Sequence, residues 1–253
     1  MNKTETAFVF GDVHGIYYDP KCFDIIKQLI KDIKPQRIYI NGDLIDFYGI
    51  SKFDKDPDRH FNLQDEIDQA VYLLRDIKAV SKEAKIHFVE GNHESRLRKY
   101  LWSKASELSS LRSLKIESLL MFDELGIEYH RSKGKSAYAE LGKIKIGHFD
   151  VALSNSAASE KKLVLKYADT IIQGHTHRLG KFYKSFGSEE KMVVGVGSGC
   201  CCMLDPEYCS DPDWHHGAVV INKIIGVNRY HIQDIPIIKH ETLFNGKLYR
   251  SKI

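Results

Sequence analysis

Five short apolar runs in this chain each stop at a glycine followed by polar side chains able to bind a metal. The endings are Gly11-Asp12-Val13-His14, Gly42-Asp43, Gly91-Asn92-His93, Gly147-His148 and Gly174-His175-Thr176-His177. The first three runs alternate with segments of helical periodicity. "TAFVFGD" and "RIYINGD" enclose "KCFDIIKQLIKDI" (21–33), which Pro35 closes, and "LQDEIDQAVYLLRDIKAVSK" (63–82) leads into "KIHFVEGNHE" (85–94). Strand–helix alternation of this kind predicts α/β layers with parallel strands. In open α/β sheets, ligands bind in the crevice beyond the carboxyl ends of the strands. Glycine at each ending lets the backbone turn sharply and come close to a neighbour.

The remaining segments extend the layered pattern. Residues 95–125 are helical in character and predict an insertion at about that range, carrying Arg96, Arg98, Lys99, Lys104, Arg112 and Lys115. "SAYAELGKIKIGHFD" (136–150) reads as a hairpin turning at Gly142, and "SAASEKKLVLKYAD" (156–169) as a helix. "KFYKSFG" pairs with "KMVVGVGSG", and 216–235 forms another pair turning near Gly226. The last residues, about fifteen, are polar and predict a surface tail. With no repeat, low-complexity tract or linker, residues 1–253 are expected to form one domain.

Bulk properties narrow the class. The 43% hydrophobic and 28% charged content suits a soluble globular chain. A net charge of +3 permits a phosphate-bearing partner without requiring one. No run of about 18 apolar residues predicts a membrane span, so no membrane partner is expected. The N-terminal "MNKTETAFVFGDVHG" lacks a signal-peptide core, which makes a cytoplasmic location the expectation. Five cysteines, three of them contiguous at Cys200, Cys201 and Cys202, fit reduced thiols better than a secreted disulfide framework.

Carboxylates, an amide oxygen and imidazoles therefore collect at one crevice. In extended backbone His175 and His177 face the same way. Taken alone, they could equally be surface histidines in a turn. As part of five endings, they suit a pair of borderline-hard divalent ions. In this order "GDVHG", "GDLID", "GNHE", "GH" and "GHTH" resemble the signature of the calcineurin-like metallophosphoesterases, over residues 8 to 177. "GNHESRLRKYL", "QGHTHRLG" and the later cysteine–Trp–Gly stretch also look like stand-alone members from phages and bacteria.

The resemblance implies an αββα fold, a two-sheet β-sandwich of mixed sheets flanked by helices. It implies that Asp12, His14 and His177 hold a first metal, that Asn92, His148 and His175 hold a second, and that Asp43 bridges them. Two divalent ions are expected, Mn²⁺ foremost, with Fe, Ni²⁺ or Zn²⁺ as alternatives. A metal-activated hydroxide would attack phosphorus. By the same resemblance His93 acts as general acid, oriented by Asp46. The bland alternative for Asp46 is a solvated turn residue or an N-cap.

One position departs from the protein phosphatases of this superfamily. Where they carry an arginine that clamps a dianionic monoester, this chain has Phe47. The loss of a bidentate guanidinium matters less for a singly charged diester, so phosphodiester hydrolysis is expected, on nucleotide or nucleic-acid substrates. Arg96, Arg98 and Arg178 are candidates to replace the missing arginine, and Arg96, Arg178 and Asn92 are the expected substrate contacts. Tyr100 and Trp102 beside basic residues would suit nucleic acid, although such helices commonly keep their aromatics in the core. Phosphomonoester hydrolysis is the enzymatic rival. A non-catalytic scaffold is the rival of another class, against which stands the complete ligand set. Cys200, Cys202, Cys209 and His215 fit no standard zinc spacing, so they read as a loop with packed thiols. His87 reads as a satisfied structural histidine, and His60, His130, His231 and His240 carry no motif.

Overall fold

A computed structural model describes residues 3–52, 54, 61–132, 136–187, 191–205, 211–227 and 229–253. The first half alternates strands β1 (Thr4–Phe10), β2 (Arg37–Ile40) and β3 (Lys85–Val89) with helices α1 (Pro20–Ile33) and α2 (Leu63–Val80). Helix α3 (Glu94–Lys104) follows, then the short turns α4 (Ile116–Leu119) and α5 (Phe122–Leu125), and strand β4 (Ile127–His130). The second half holds β5 (Tyr138–Leu141), β6 (Ile144–Gly147), α6 (Ala158–Tyr167), β7 (Thr170–Gln173), β8 (Leu179–Ser185) and β9 (Met192–Ser198). It ends with β10 (Gly217–Ile224), β11 (Tyr230–Pro236), β12 (Glu241–Phe244) and β13 (Lys247–Arg250).

Two mixed sheets result, with strand orders β11-β10-β1-β2-β3-β4 and β5-β6-β7-β9-β8. Strands β1 to β4 run parallel, as do β6, β7 and β9, while β10, β11, β5 and β8 are antiparallel to their neighbours. The parallel strands deliver their carboxyl ends to one rim. This is the expected two-sheet sandwich flanked by helices.

Side-chain alternation explains the layering. In β1, Ala7 and Val9 face the second sheet and join Tyr39, Ile146, Ile172 and Val196 between the sheets. Phe8 and Phe10 point the other way, into the layer formed with Ile26, Leu29 and Leu74 of α1 and α2. A fully buried strand thus serves two cores at once. Helix α6 covers the outer face of the second sheet through Leu163 and Val164 against Ile171. The helices start where their caps dictate. Asp19 accepts from the Cys22 amide with Pro20 in the first turn, and Asn62 and Asp65 form a capping box.

The hairpin turns expected at Gly142 and Gly226 are both present, each glycine in the left-handed region at φ 66° and 86°. The expected polar tail is corrected. Strands β12 and β13 pair as a hairpin, and Phe244 and Tyr249 are buried in the same core as α1. Each such burial contributes roughly 1.5–3 kcal/mol. Among the described residues no helix is long and apolar enough to cross a membrane.

Candidate metal centre

Four of the five loops at the strand ends are joined in two pairs by backbone bonds before any side chain is considered. The amides of Asp12, Val13, His14 and Gly15 donate to the carbonyls of Gly42, Asp43, Asp43 and Leu44 at 2.7–3.0 Å. Gly174 N donates to Gly147 O at 3.2 Å. The glycines do what their positions require. A Cβ on Gly42, whose φ is 85°, would sit 2.6 Å from His148 Nδ1, and one on Gly174 would sit 2.9 Å from Asp12 Oδ2. Asp12, His14, Asp43, His175 and His177 themselves adopt left-handed backbone, with φ between 49° and 72°. For residues with a Cβ this conformation costs free energy, and it clusters where surrounding structure enforces it.

All seven expected ligands converge. His177 Nε2 lies 3.1 Å from His14 Nε2 and 3.2 Å from Asp12 Oδ1. Across the site, His148 Nε2 lies 2.9 Å from Asn92 Oδ1, 3.1 Å from His175 Nδ1 and 3.1 Å from Asp43 Oδ2. Asp43 belongs to both groups, because its carboxylate also gathers with His14 and His93 within 4.8 Å. Backbone amides hold the carboxylates in place: His175 N donates to Asp12, and His93 N to Asp43 Oδ1 at 2.9 Å.

This donor set fits two divalent ions sharing Asp43. Imidazole nitrogens facing one another beside buried carboxylates can share a proton or a metal ion, and His/Asp/Asn donors suit borderline metals. Electrostatics agree. Burial works to raise the Asp43 carboxyl, but His148, His93 and His14 hold it well below the usual carboxylate range. Burial likewise opposes charge on His148, yet Asp43 and Asp12 push its pKa up to about 10. Buried carboxylates here retain their charge by recruiting positive partners, the role divalent ions take while displacing protons.

Asp46 does more than the sequence reading gave it. Its Oδ2 lies 3.2 Å from His14 Nδ1 and 3.4 Å from His93 Nδ1, so one carboxylate orients a ligand and its neighbour together. The shorter bond of His93 Nδ1 runs to the Asp46 carbonyl oxygen, at 3.0 Å. Arg96 completes the cluster. Its Nη1 donates to the Asp46 carbonyl and Oδ1 at 2.8 and 3.0 Å, and its Nη2 to His93 Nε2 at 2.9 Å. Burial disfavours the charged His93 ring, but Asp43 and Asp46 outweigh it and raise its pKa.

The other arginines go elsewhere. Arg98 pairs with buried Glu90 and lies over Trp102. Arg178 donates to Leu153 O at 2.7 Å and pairs with Asp213 at 3.0 Å, so its guanidinium braces loops. Phe47 is fully buried in the helix-side core at φ 54°. The cysteines at 200–202 read as packed thiols, and all three are buried. Cys200 Sγ contacts His215 O, the His215 ring accepts from Leu179 N, and Cys202 lies by His177, while Cys209 is outside the described residues, as is His60. His87 is satisfied as expected, 3.0 Å from His130 and stacked on Tyr39.

Glu94 carries a function the sequence reading missed. Its buried carboxylate accepts from the amides of Asp43, Leu44, Ile45 and Gly91 at 2.8–3.3 Å. Burial, then the nearby Asp43, pushes its pKa up to about 7. The only signal was the last letter of "GNHE", an acidic residue opening a helix.

The calcineurin-like phosphoesterase family matches the chain over residues 6–179. The Gene 54 protein of Mycobacterium phage D29 is 26% identical over 203 residues, 76% of this chain and 77% of that protein. Its counterpart in Mycobacterium phage L5 is 24% identical over 202 residues, with the same shares. Similar solved structures include a predicted phosphoesterase from Streptococcus pneumoniae TIGR4, at 12% identity, TM-score 0.41 and 98% of each chain. Chaetomium thermophilum Vps29 is another, at 10% identity and TM-score 0.42, covering 98% of this chain and 100% of that one.

Proposed function

The chain belongs to the calcineurin-like phosphoesterase family, and on that premise we propose that it hydrolyses phosphodiesters, of nucleotides or nucleic acids, with two divalent ions. The observation that carries this reading is the convergence of Asp12, His14 and His177 on one side and Asn92, His148 and His175 on the other, with Asp43 reaching both. Two ions held there, manganese in this proposal, would supply Lewis-acid charge to phosphoryl oxygens and lower the pKa of water.

The chain's own residues supply the rest. His93 carries the proton for the departing alkoxide, and the carboxylates of Asp43 and Asp46 beside it favour its charged form. Its Nδ1 is anchored on Asp46, and its Nε2, which accepts from Arg96 Nη2 at 2.9 Å, would exchange that contact for a proton to serve as the delivering atom. Arg96 and Asp46 are positioning residues in this scheme, and Asn92 contacts the substrate as well as an ion. Preference for a diester is supported by Phe47, which puts a phenyl ring in the core where the protein phosphatases of the superfamily carry an arginine. Arg96, the basic group nearest His93 in the sequence, has Nη1 engaged by Asp46. Exposed Tyr100 and Trp102 on α3 support a nucleic-acid partner able to stack on them. Synthesis and action within the cytoplasm belong to the same proposal.

Hydrolysis of bis-(p-nitrophenyl) phosphate against p-nitrophenyl phosphate, with Mn²⁺, tests it. The diester is expected to be turned over faster. A much faster monoester refutes the diester preference, and no turnover with Mn²⁺, Fe²⁺, Ni²⁺ or Zn²⁺ leaves the scaffold reading standing.

A further inference from the structure

A carboxylate and two imidazoles meet away from the paired-ion centre, brought together from three distant parts of the chain. Asp19 uses one oxygen to cap α1, accepting from Cys22 N at 2.8 Å. Its other oxygen, Oδ2, lies 2.9 Å from His240 Nε2 and 3.8 Å from His216 Nε2. His216 is buried just ahead of β10, and its Nε2 donates to the Cys202 carbonyl at 2.7 Å. His240 stands between β11 and β12 in a turn where Lys239 and His240 are both left-handed, at φ 51° and 58°. Two successive non-glycine residues in that region are costly, and the turn brings the imidazole back onto the start of α1.

We propose that Asp19, His216 and His240 form a third metal site, separate from the paired-ion centre, which takes one zinc ion. Zinc accepts nitrogen and carboxylate oxygen together in a tetrahedron, and bonds of about 2.0–2.1 Å set its ligand atoms roughly 3.3–3.4 Å apart. The two Asp19 separations, 2.9 and 3.8 Å, bracket that edge, and all three donor atoms lie within 4.8 Å of one another. The Cys202 carbonyl oxygen stands beside His216 Nε2 as a fourth neighbour. To bind, His216 moves its proton from Nε2 to Nδ1, exchanging a hydrogen bond for a metal bond.

Charge favours this cluster over its nearest analogue. His87, Glu128 and His130 also gather, but Arg37 lies 3.3 Å from His87 and Lys85 pairs with Glu128, so a cation there meets like charge. Among the described residues, the basic groups paired with Asp19 are His216 and His240 alone. The site would also brace a wall of the paired-ion centre. Asp19 N donates to Cys201 O at 2.9 Å, Cys201 N to the Asp12 carbonyl at 3.0 Å, and His215 N to the His177 carbonyl at 2.8 Å.

The test strips the full chain with a chelator, reloads it with Zn²⁺ alone, and measures bound zinc in the parent, Asp19→Asn and His240→Ala. Asparagine preserves the helix cap, and His240 is partly exposed, so its truncation spares the core. Each variant is expected to hold one zinc fewer per chain and to show a smaller Zn²⁺-dependent rise in Tm. Circular dichroism checks the fold, and if Asp19→Asn fails to fold, His240→Ala decides alone. Equal zinc content in the parent and a folded variant overturns the proposal.

Discussion

Replacing Glu94 by glutamine tests how the centre is held open. All four contacts of this carboxylate are with backbone N–H donors, two at Oε2 (Asp43 and Gly91) and two at Oε1 (Leu44 and Ile45). Glutamine has nearly the same shape, but one end becomes an amide that donates. Whichever way it turns, two buried N–H groups face an N–H instead of an oxygen. Each unsatisfied donor costs about 1–3 kcal/mol, and some relief through local shifts leaves a loss of about 3–4 kcal/mol. For a chain of this size that corresponds to a fall in Tm of about 10 °C. The same amides fix Asp43 and the turn before Asn92 and His93, and a shift of about 1 Å at such a place costs about 10²-fold in rate. Urea unfolding of the metal-free chain and kcat on bis-(p-nitrophenyl) phosphate measure the two effects. A Glu94→Gln protein matching the parent in both would refute the claim that this carboxylate ties the loops together.

Other expectations concern single groups. Asp43→Ala should abolish hydrolysis and reduce bound manganese, read by elemental analysis; full retention of both would remove Asp43 from its bridging place. His93→Ala should keep its metal yet lose about 10²–10⁴-fold in kcat, most for poor leaving groups, and an undiminished rate on a natural diester would end its role as acid. Phe47→Arg would place a charge in the helix-side core, so a large loss of stability is expected in place of new monoesterase activity; a soluble variant with parental Tm would contradict that burial. Burial, only partly offset by Glu128, lowers the His87 pKa from 6.5 to about 4. The unfolded chain therefore takes up the proton first, so this contribution to stability is full above about pH 6.5 and is lost as pH falls toward 4, by at most about 3 kcal/mol. Urea midpoints at pH 7 and pH 5 should separate less in His87→Gln than in the parent, and an equal separation would count against it.

The parts legible in the sequence were those with a local signal. Gly42 and Gly174 precede ligands because a Cβ there would strike His148 or Asp12, and that crowding leaves its mark within two or three letters. Hairpins at Gly142 and Gly226 were readable for the same reason. Asp46 was placed by its spacing from Asp43, but its bond to His14 joins loops 32 residues apart and has no local trace. Phe244 and Tyr249 each follow a leucine that stays exposed, so only the proximity of α1 reveals which of each pair is core. Asp19 and His240, 221 residues apart, meet through tertiary structure alone.

The ladder of amide–carbonyl contacts joining the Asp12–Gly15 loop to Gly42, Asp43 and Leu44 runs entirely between main-chain atoms. Two of the loops that carry the ligands are therefore held to each other by the scaffold itself. Unlike a zinc finger, which collapses when demetallated, a chain whose ligand loops are tied this way is expected to survive stripping, so that one purified batch would serve to compare different ions in the same cage.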